Sequence, residues 1–253
     1  MIYDLQKASM LKRVSAFILD AILMIILVTG FMWIISSVLG FAEHSDELDA
    51  LITGYEEEFG VDFGISSDDY EKFSEAEKEY FDSCYGKVIR DERYAYLSNM
   101  IFYSLLTMVS LSLFFSFLIL EFIIPLLFKN GQTIGKKIFA IGVMRIDGVK
   151  VAPIIMFVRT ILGKYTIETM VPAIILLMLH FGVGSYVTLG VVVLIALFEL
   201  ILVIVTKTNS FIHDILSSTV TVDLPSQMIF DSVEAKKEYQ LRIHNEEAKH
   251  SKY

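Results

Sequence analysis

Residues 13–42, RVSAFILDAILMIILVTGFMWIISSVLGFA, open on Arg13, place Asp20 seven positions later, and then run from Ala21 to Ala42 for 22 residues without a formal charge. About 20 apolar residues are enough to cross a bilayer as a helix, so this stretch is a membrane span, read from Val14 to Phe41. An ionisable group inside a span costs about 2.5–3.5 kcal/mol on insertion scales, which turns Asp20 towards protein groups or a wet cavity. Three roles stay open for it: a structural polar contact near one end of the helix, ion or proton handling, and ligand binding. A cleaved signal peptide is excluded by length, because such apolar cores hold about 7–15 residues.

The rest of the chain belongs to the same class. Of 253 residues, 55% are hydrophobic and 19 are phenylalanine, although 20% are charged. The charge is segregated. Residues 43–98 hold 17 acidic and 5 basic side chains, a net of −12, so the remainder carries +3 towards the total of −9. The acidic pI of 5.1 therefore describes one segment. No basic face suggests a nucleic-acid partner. Cys84 is the single cysteine, which leaves no intramolecular disulfide and no cysteine-based metal framework.

A second span is read from Asn99 to Phe128, interrupted by Glu121 and Pro125. The segment from Lys129 to Lys164 follows as a basic, glycine-punctuated connection with seven Lys or Arg and one Asp. Tyr165 to Thr206 is then 42 residues long, and as one helix would measure about 63 Å, twice the thickness of a hydrocarbon core. It is expected to fold as a hairpin turning at Phe181–Ser185, with a third span from Glu168 to Phe181 and a fourth from Tyr186 to Thr206. The expected fold is all-α and polytopic, with four transmembrane helices. Its divisions are 1–41, the N-terminus and first span; 42–98, an acidic extracytoplasmic insertion; 99–222, the remaining spans and basic connection; and 223–253, a soluble tail. Basic residues flanking spans favour the cytoplasmic side. Lys7, Lys12, Arg13, Lys129, Lys136, Lys137, Arg145, Lys150, Arg159, Lys164 and Lys207 share one side if there are four spans, which places both termini in the cytoplasm and Cys84 outside.

Several motifs occur together and in order. They are Arg13-x6-Asp20, Gly131-Gln132-Thr133-Ile134-Gly135-Lys136-Lys137, Asp147-Gly148 ahead of Arg159, and His213-Asp214 followed by Ser218-Thr219-Val220. In this the chain resembles the RDD family of bacterial membrane proteins over nearly its whole length, the acidic segment and the tail excepted. The family is named for an arginine and two aspartates, which the resemblance maps onto Arg13, Asp20 and Asp214. It implies an integral protein of the bacterial plasma membrane, suspected of transport.

Read as chemistry, Arg13 and Asp20 lie about two turns apart on nearly one face of a helix, near 10 Å along the axis, so each is expected to meet a third group. Asp214, Glu121 and Arg159 are the available charges, and Arg13, Asp20, Asp214 and Arg159 form the expected charge cluster. The competing reading lets Arg13 snorkel to lipid phosphate. Gly131 to Lys137 is no phosphate loop, since three residues separate its glycines and a lysine stands where Ser or Thr is needed. Lys136 and Lys137 are expected to bind lipid headgroups, each worth about 1 kcal/mol.

Asp20, Glu121 and Glu199 are the ion or ligand candidates, one carboxyl on each of three spans. Together they suit a monovalent cation or a proton, or else serve as protonated interhelical hydrogen bonds. His213-Asp214 lacks the further ligands a metal needs, because His44, His180, His244 and His250 fall on the other side or in the tail. No nucleophile motif occurs. No enzyme activity, metal or cofactor is expected. Membrane lipid is the expected partner, with a second copy or a partner subunit, because four spans leave little room for a private channel. In the acidic segment, Tyr55, Phe59, Phe63, Tyr70, Phe73, Tyr80, Phe81 and Tyr85 interrupt the acids, and Ser66-Ser67-Asp68-Asp69 reads as a helix start. Two functions remain: a transporter or ion exchanger using these carboxyls with Arg13, or a non-transporting membrane scaffold.

Overall fold

The computed structural model describes residues 5–128, 130–182 and 185–250. Lys129 and the Val183-Gly184 part of the expected turn lie outside them. Among the described residues, four helices are long and apolar enough to cross a membrane: Met10–Leu39, Glu92–Leu127, Pro153–His180 and Val187–Val205. The chain is an all-α membrane protein, and it divides into two compact units, Gly30–Leu111 and the combination of Met1–Thr29 with Ser112–Tyr253.

Helix α1 (Met10–Leu39), whose residues up to Thr29 belong to the second unit, gives way in the first at Gly40, whose φ of 61° suits glycine, to α2 (Phe41–Phe59). Helices α3 (Ser67–Glu71) and α4 (Glu75–Val88) then precede α5 (Glu92–Phe117). Both short helices start on serine caps: Ser66 accepts from the Asp69 amide, and Ser74 and Glu77 form a reciprocal capping box. Between the acids lies a cluster of half-buried rings. Phe81 packs edge-on against Tyr70 at 5.4 Å and Phe63 at 5.7 Å, and the Tyr80 hydroxyl donates to the Phe59 carbonyl at 2.9 Å. Cys84 is buried there. Exposed acids keep the segment soluble while its rings fold it.

In the other unit, α5 runs into a π-helical turn at Leu118–Ile123 and then α6 (Ile124–Leu127). Pro125 has no N–H to offer the carbonyl four residues earlier, which is that of Glu121. That carbonyl instead accepts from the Thr160 hydroxyl at 2.8 Å, so the break in one helix is closed by another. Next come α7 (Ile134–Ile138), strand β1 (Ile141–Arg145) and α8 (Pro153–Phe157). A 13-residue π-helix, Val158–Met170, leads into α9 (Val171–His180). Helix α10 (Tyr186–Val205), α11 (Ile212–Leu216), strand β2 (Thr219–Asp223) and α12 (Val233–His250) complete the chain.

The third span differs from its sequence-based reading: it begins at Pro153, not Glu168, so Arg159 and Lys164 belong to the helix and not to a connection. A helix can carry them because each meets a carboxylate, as described below. Strands β1 and β2 pair antiparallel from Ile141–Asp223 to Arg145–Thr219, a small addition to an otherwise helical fold. Lys7 extends the sheet through a bridge to Val222. Ile141, Met144, Val220 and Val222 are buried around it. The tail is anchored at its start, where Phe230 bridges Val149 and Lys150 pairs with Asp231.

Candidate functional site

Four carboxyl-centred groups occupy the unit that contains the sheet. The first is Asp20, on α1, 8% exposed. It accepts a hydrogen bond from the Thr133 hydroxyl and one of 2.7 Å from the Gly135 amide. Thr133 in turn caps α7 by accepting from the Lys136 amide at 3.3 Å. This contact depends on Gly135 having no side chain. A Cβ there would sit 2.3 Å from the Ala16 carbonyl oxygen and 2.9 Å from the Asp20 carboxyl. Ala16, small and buried, lets the turn come down onto α1.

The second group centres on Glu121, which pairs with Lys164 at 2.7 Å and Lys136 at 3.8 Å. The Lys136 side chain is 13% exposed, so it does not sit among lipid headgroups as expected: the carboxylate of Glu121 draws it inwards. Burial pulls its ammonium down to about 7, against the opposing pull of Glu121. Lys137 is the exposed member of the pair, with its ammonium 3.8 Å above the Phe128 ring.

Asp214 forms the third group. Arg159, 2% exposed, meets it at 2.6 Å and donates a second bond to the Thr219 hydroxyl at 3.1 Å. Arg13 approaches Asp214 at 3.7 Å, donates to the Asn209 carbonyl at 2.7 Å, and lies 5.5 Å from the Phe211 ring centre. Burial alone would push the Asp214 carboxyl up, but Arg159, then His213 and Arg13, hold it well below the usual carboxylate range. The expected cluster is thus assembled from Arg13, Arg159 and Asp214. Asp20 stands apart from it, satisfied by an amide and a hydroxyl instead of a cation.

The fourth group was not anticipated. Glu168 accepts from both the backbone amide and Nδ1 of His213, at 2.8 Å each. Nearby in the chain's last span, Glu199 on α10 has its Oε1 buried without a hydrogen-bond partner. His213 also stacks on Phe211, with ring centres 5.6 Å apart. Burial lowers its imidazole below the ordinary range, with Asp214 opposing. Gly163 makes room for α11 here, since a Cβ would lie 2.6 Å from that of His213.

Sequence reasoning brought Asp20, Glu121 and Glu199 forward as one set, yet they lie in three different groups. It gave no site role to Thr160, Lys164 or Glu168, nor to Thr133 and Thr219 beyond their place in the motifs. A usable signal was the polar trio Arg159, Lys164 and Glu168 within a helix that otherwise has the length and hydropathy of a span. Among the described residues no group of three or more His, Cys, Asp or Glu is arranged to hold a metal ion.

Comparison with curated proteins and with solved structures finds no match. A profile of the RDD family matches residues 7–218, the stretch that holds every ionisable side chain of these four groups. The chain belongs to the RDD family of membrane proteins.

Proposed function

We propose that the protein moves a proton or a monovalent cation across the bacterial plasma membrane, with Glu199 as the intramembrane carboxyl that handles it. The observation behind this reading is the incomplete satisfaction of Glu199: its Oε1 is buried within a span without a hydrogen-bond partner. Buried ionisable groups inside a span are costly and so mark ion or proton pathways. Asp20 and Glu121, proposed from the sequence for the same role, are occupied by Thr133 and Gly135 and by two lysines. They suit holding helices together. Their saturation supports the second reading, a membrane scaffold or accessory subunit. Under the transport reading a second copy or a partner subunit completes the pathway, since four spans enclose little space.

Purified protein in proteoliposomes, assayed for flux under proton and monovalent-cation gradients, tests the proposal. The unsubstituted chain is expected to dissipate one of these gradients and Glu199→Gln to lose that flux while remaining folded. Absence of flux under every gradient favours the scaffold.

The basic residues near span ends favour a topology with both termini in the cytoplasm and the ring-bearing acidic segment outside. Buried Cys84 is a poor reporter of it. In a Cys84→Ser background, cysteine replacing Glu75, whose side chain is 96% exposed, is expected to react with a membrane-impermeant thiol reagent in intact cells. Cysteine replacing exposed Lys137 should react only after lysis. Labelling of both from outside would overturn four spans with this orientation.

A further inference from the structure

Within the unit Gly30–Leu111, the loop after α2 and the first turns of α4 frame a cleft of about 420 Å³. Small-molecule sites commonly span about 300–1,000 Å³, with mostly apolar walls and a few polar groups. Here the walls include Ile65, Phe73, Tyr80 and Phe81, and among the lining residues Asp62 and Glu77 alone are charged. Both are acids. The rings are held in place: Phe81 packs against Phe63, Tyr70 and Phe73 at 5.7, 5.4 and 6.2 Å, and the Tyr80 hydroxyl donates to the Phe59 carbonyl at 2.9 Å. Tyr80 is nevertheless 54% exposed and stacks on no other ring among the described residues, which leaves its face open to a ligand.

Each acid also keeps an uncommitted oxygen. Asp62 accepts from the Gly64 amide through Oδ1 at 2.7 Å, and Glu77 accepts from the Ser74 amide and hydroxyl through Oε2 at 2.7 Å each. Asp62 Oδ2 and Glu77 Oε1 have no hydrogen bond or ion pair among the described residues. The basic side chains of the segment are placed elsewhere: Lys72 pairs with Asp69, Lys78 with Glu75 and Arg93 with Glu47, while Lys87 lies over the Phe59 ring at 5.1 Å. Arg90, just past the end of α4, is not part of the lining. With a net charge of −12 over residues 43–98, the surface concentrates cations and repels anions. We infer that this cleft binds a small organic cation, a quaternary or protonated amine on an apolar body, with the charge against Asp62 and Glu77 and the body against Phe73, Tyr80 and Phe81. Aromatic faces attract such cations, quaternary ammonium groups above all. A bare metal ion gains nothing from the apolar walls. The site is independent of the transport reading above and of Glu199.

The probe is para-fluorobenzyltrimethylammonium, observed by fluorine NMR with the full chain in nanodiscs of zwitterionic lipid and with empty nanodiscs as the blank. Its line is expected to broaden only with the protein. Unlabelled benzyltrimethylammonium should reverse the broadening, whereas the anion benzylsulfonate and the neutral N,N-dimethylbenzamide should not. Asp62→Asn combined with Glu77→Gln removes both charges but keeps the turn and the helix cap, since amide oxygens accept as carboxylates do. It should weaken binding about fivefold. The same charge loss at exposed Glu57 and Glu58, by Glu57→Gln with Glu58→Gln, should change it far less. Tyr80→Leu should weaken binding as well, and Tyr80→Phe, which keeps the ring, should retain it. Equal broadening by empty nanodiscs, equal competition by the sulfonate or the amide, or equal losses in the two double variants would overturn the inference. Should the variant at Asp62 and Glu77 fail to fold, the competition series on the unsubstituted chain still decides.

Discussion

Asp214→Asn is expected to destabilise the purified protein more than any substitution of its partners, by about 3–5 kcal/mol, the range seen when one member of a buried ion pair is removed. The reason is the imbalance it leaves. Arg159 is 2% exposed and would face a neutral amide and the Thr219 hydroxyl with no countercharge, and Arg13 would lose its carboxylate as well. Arg159→Gln should cost less, because Asp214 keeps Arg13 at 3.7 Å. The Arg159→Gln, Asp214→Asn double variant should cost clearly less than the sum of the two, since groups in direct contact couple by about 0.5–3 kcal/mol. The sign with pH follows from the lowered Asp214 carboxyl. Its contribution is complete above the unfolded value of about 3.9 and is lost as pH falls towards the lower folded one. Asp214→Asn should accordingly flatten the acid limb of a stability profile measured by circular dichroism in detergent. Additive effects in the double variant would mean that Arg159 and Asp214 do not stabilise one another.

The hydropathy of the chain carries most of the fold, because a bilayer demands long apolar helices and four were legible. Ser66-Ser67-Asp68-Asp69 also announced the start of α3, since capping is a local interaction, whereas the Ser74 cap that begins α4 was not read. What escaped was non-local. Strands β1 and β2 are five residues each and lie in different parts of the sequence, so neither signals the other. The start of the third span was misplaced for a related reason: Arg159 and Lys164 resemble a connection until Asp214 and Glu121 arrive to neutralise them. Glu168 was overlooked because its partner His213 is 45 residues away. The helical spacing of Arg13 and Asp20 correctly denied them a direct salt bridge. It did not reveal that one meets a carboxylate and the other an amide and a hydroxyl.

Those different partners make the Asp20 contact a separate joint, and Gly135→Ala is the substitution that should open it. The added methyl would lie 2.3 Å from the Ala16 carbonyl oxygen, a backbone atom that cannot rotate aside. Overpacking of this kind costs about 1–3 kcal/mol, sometimes more. Displacing α7 also weakens the Gly135 amide bond to Asp20, and hydrogen bonds to charged groups are worth about 1.5–3 kcal/mol. The expected loss is therefore at or above the top of the overpacking range. Gly190 is the control: it lies within α10 with no atom within 4 Å of a Cβ placed there, so Gly190→Ala should be neutral or raise stability slightly through helix propensity. Asp20→Asn combined with Arg13→Gln should be additive, because the two side chains share no partner, whereas Asp20→Asn and Gly135→Ala act on one contact and should not be. Thermal unfolding of the four single and two double variants and the unsubstituted chain in detergent decides the matter. Gly135→Ala melting with the unsubstituted chain, or strong coupling between Arg13 and Asp20, would mean that α7 does not dock on Asp20 as described.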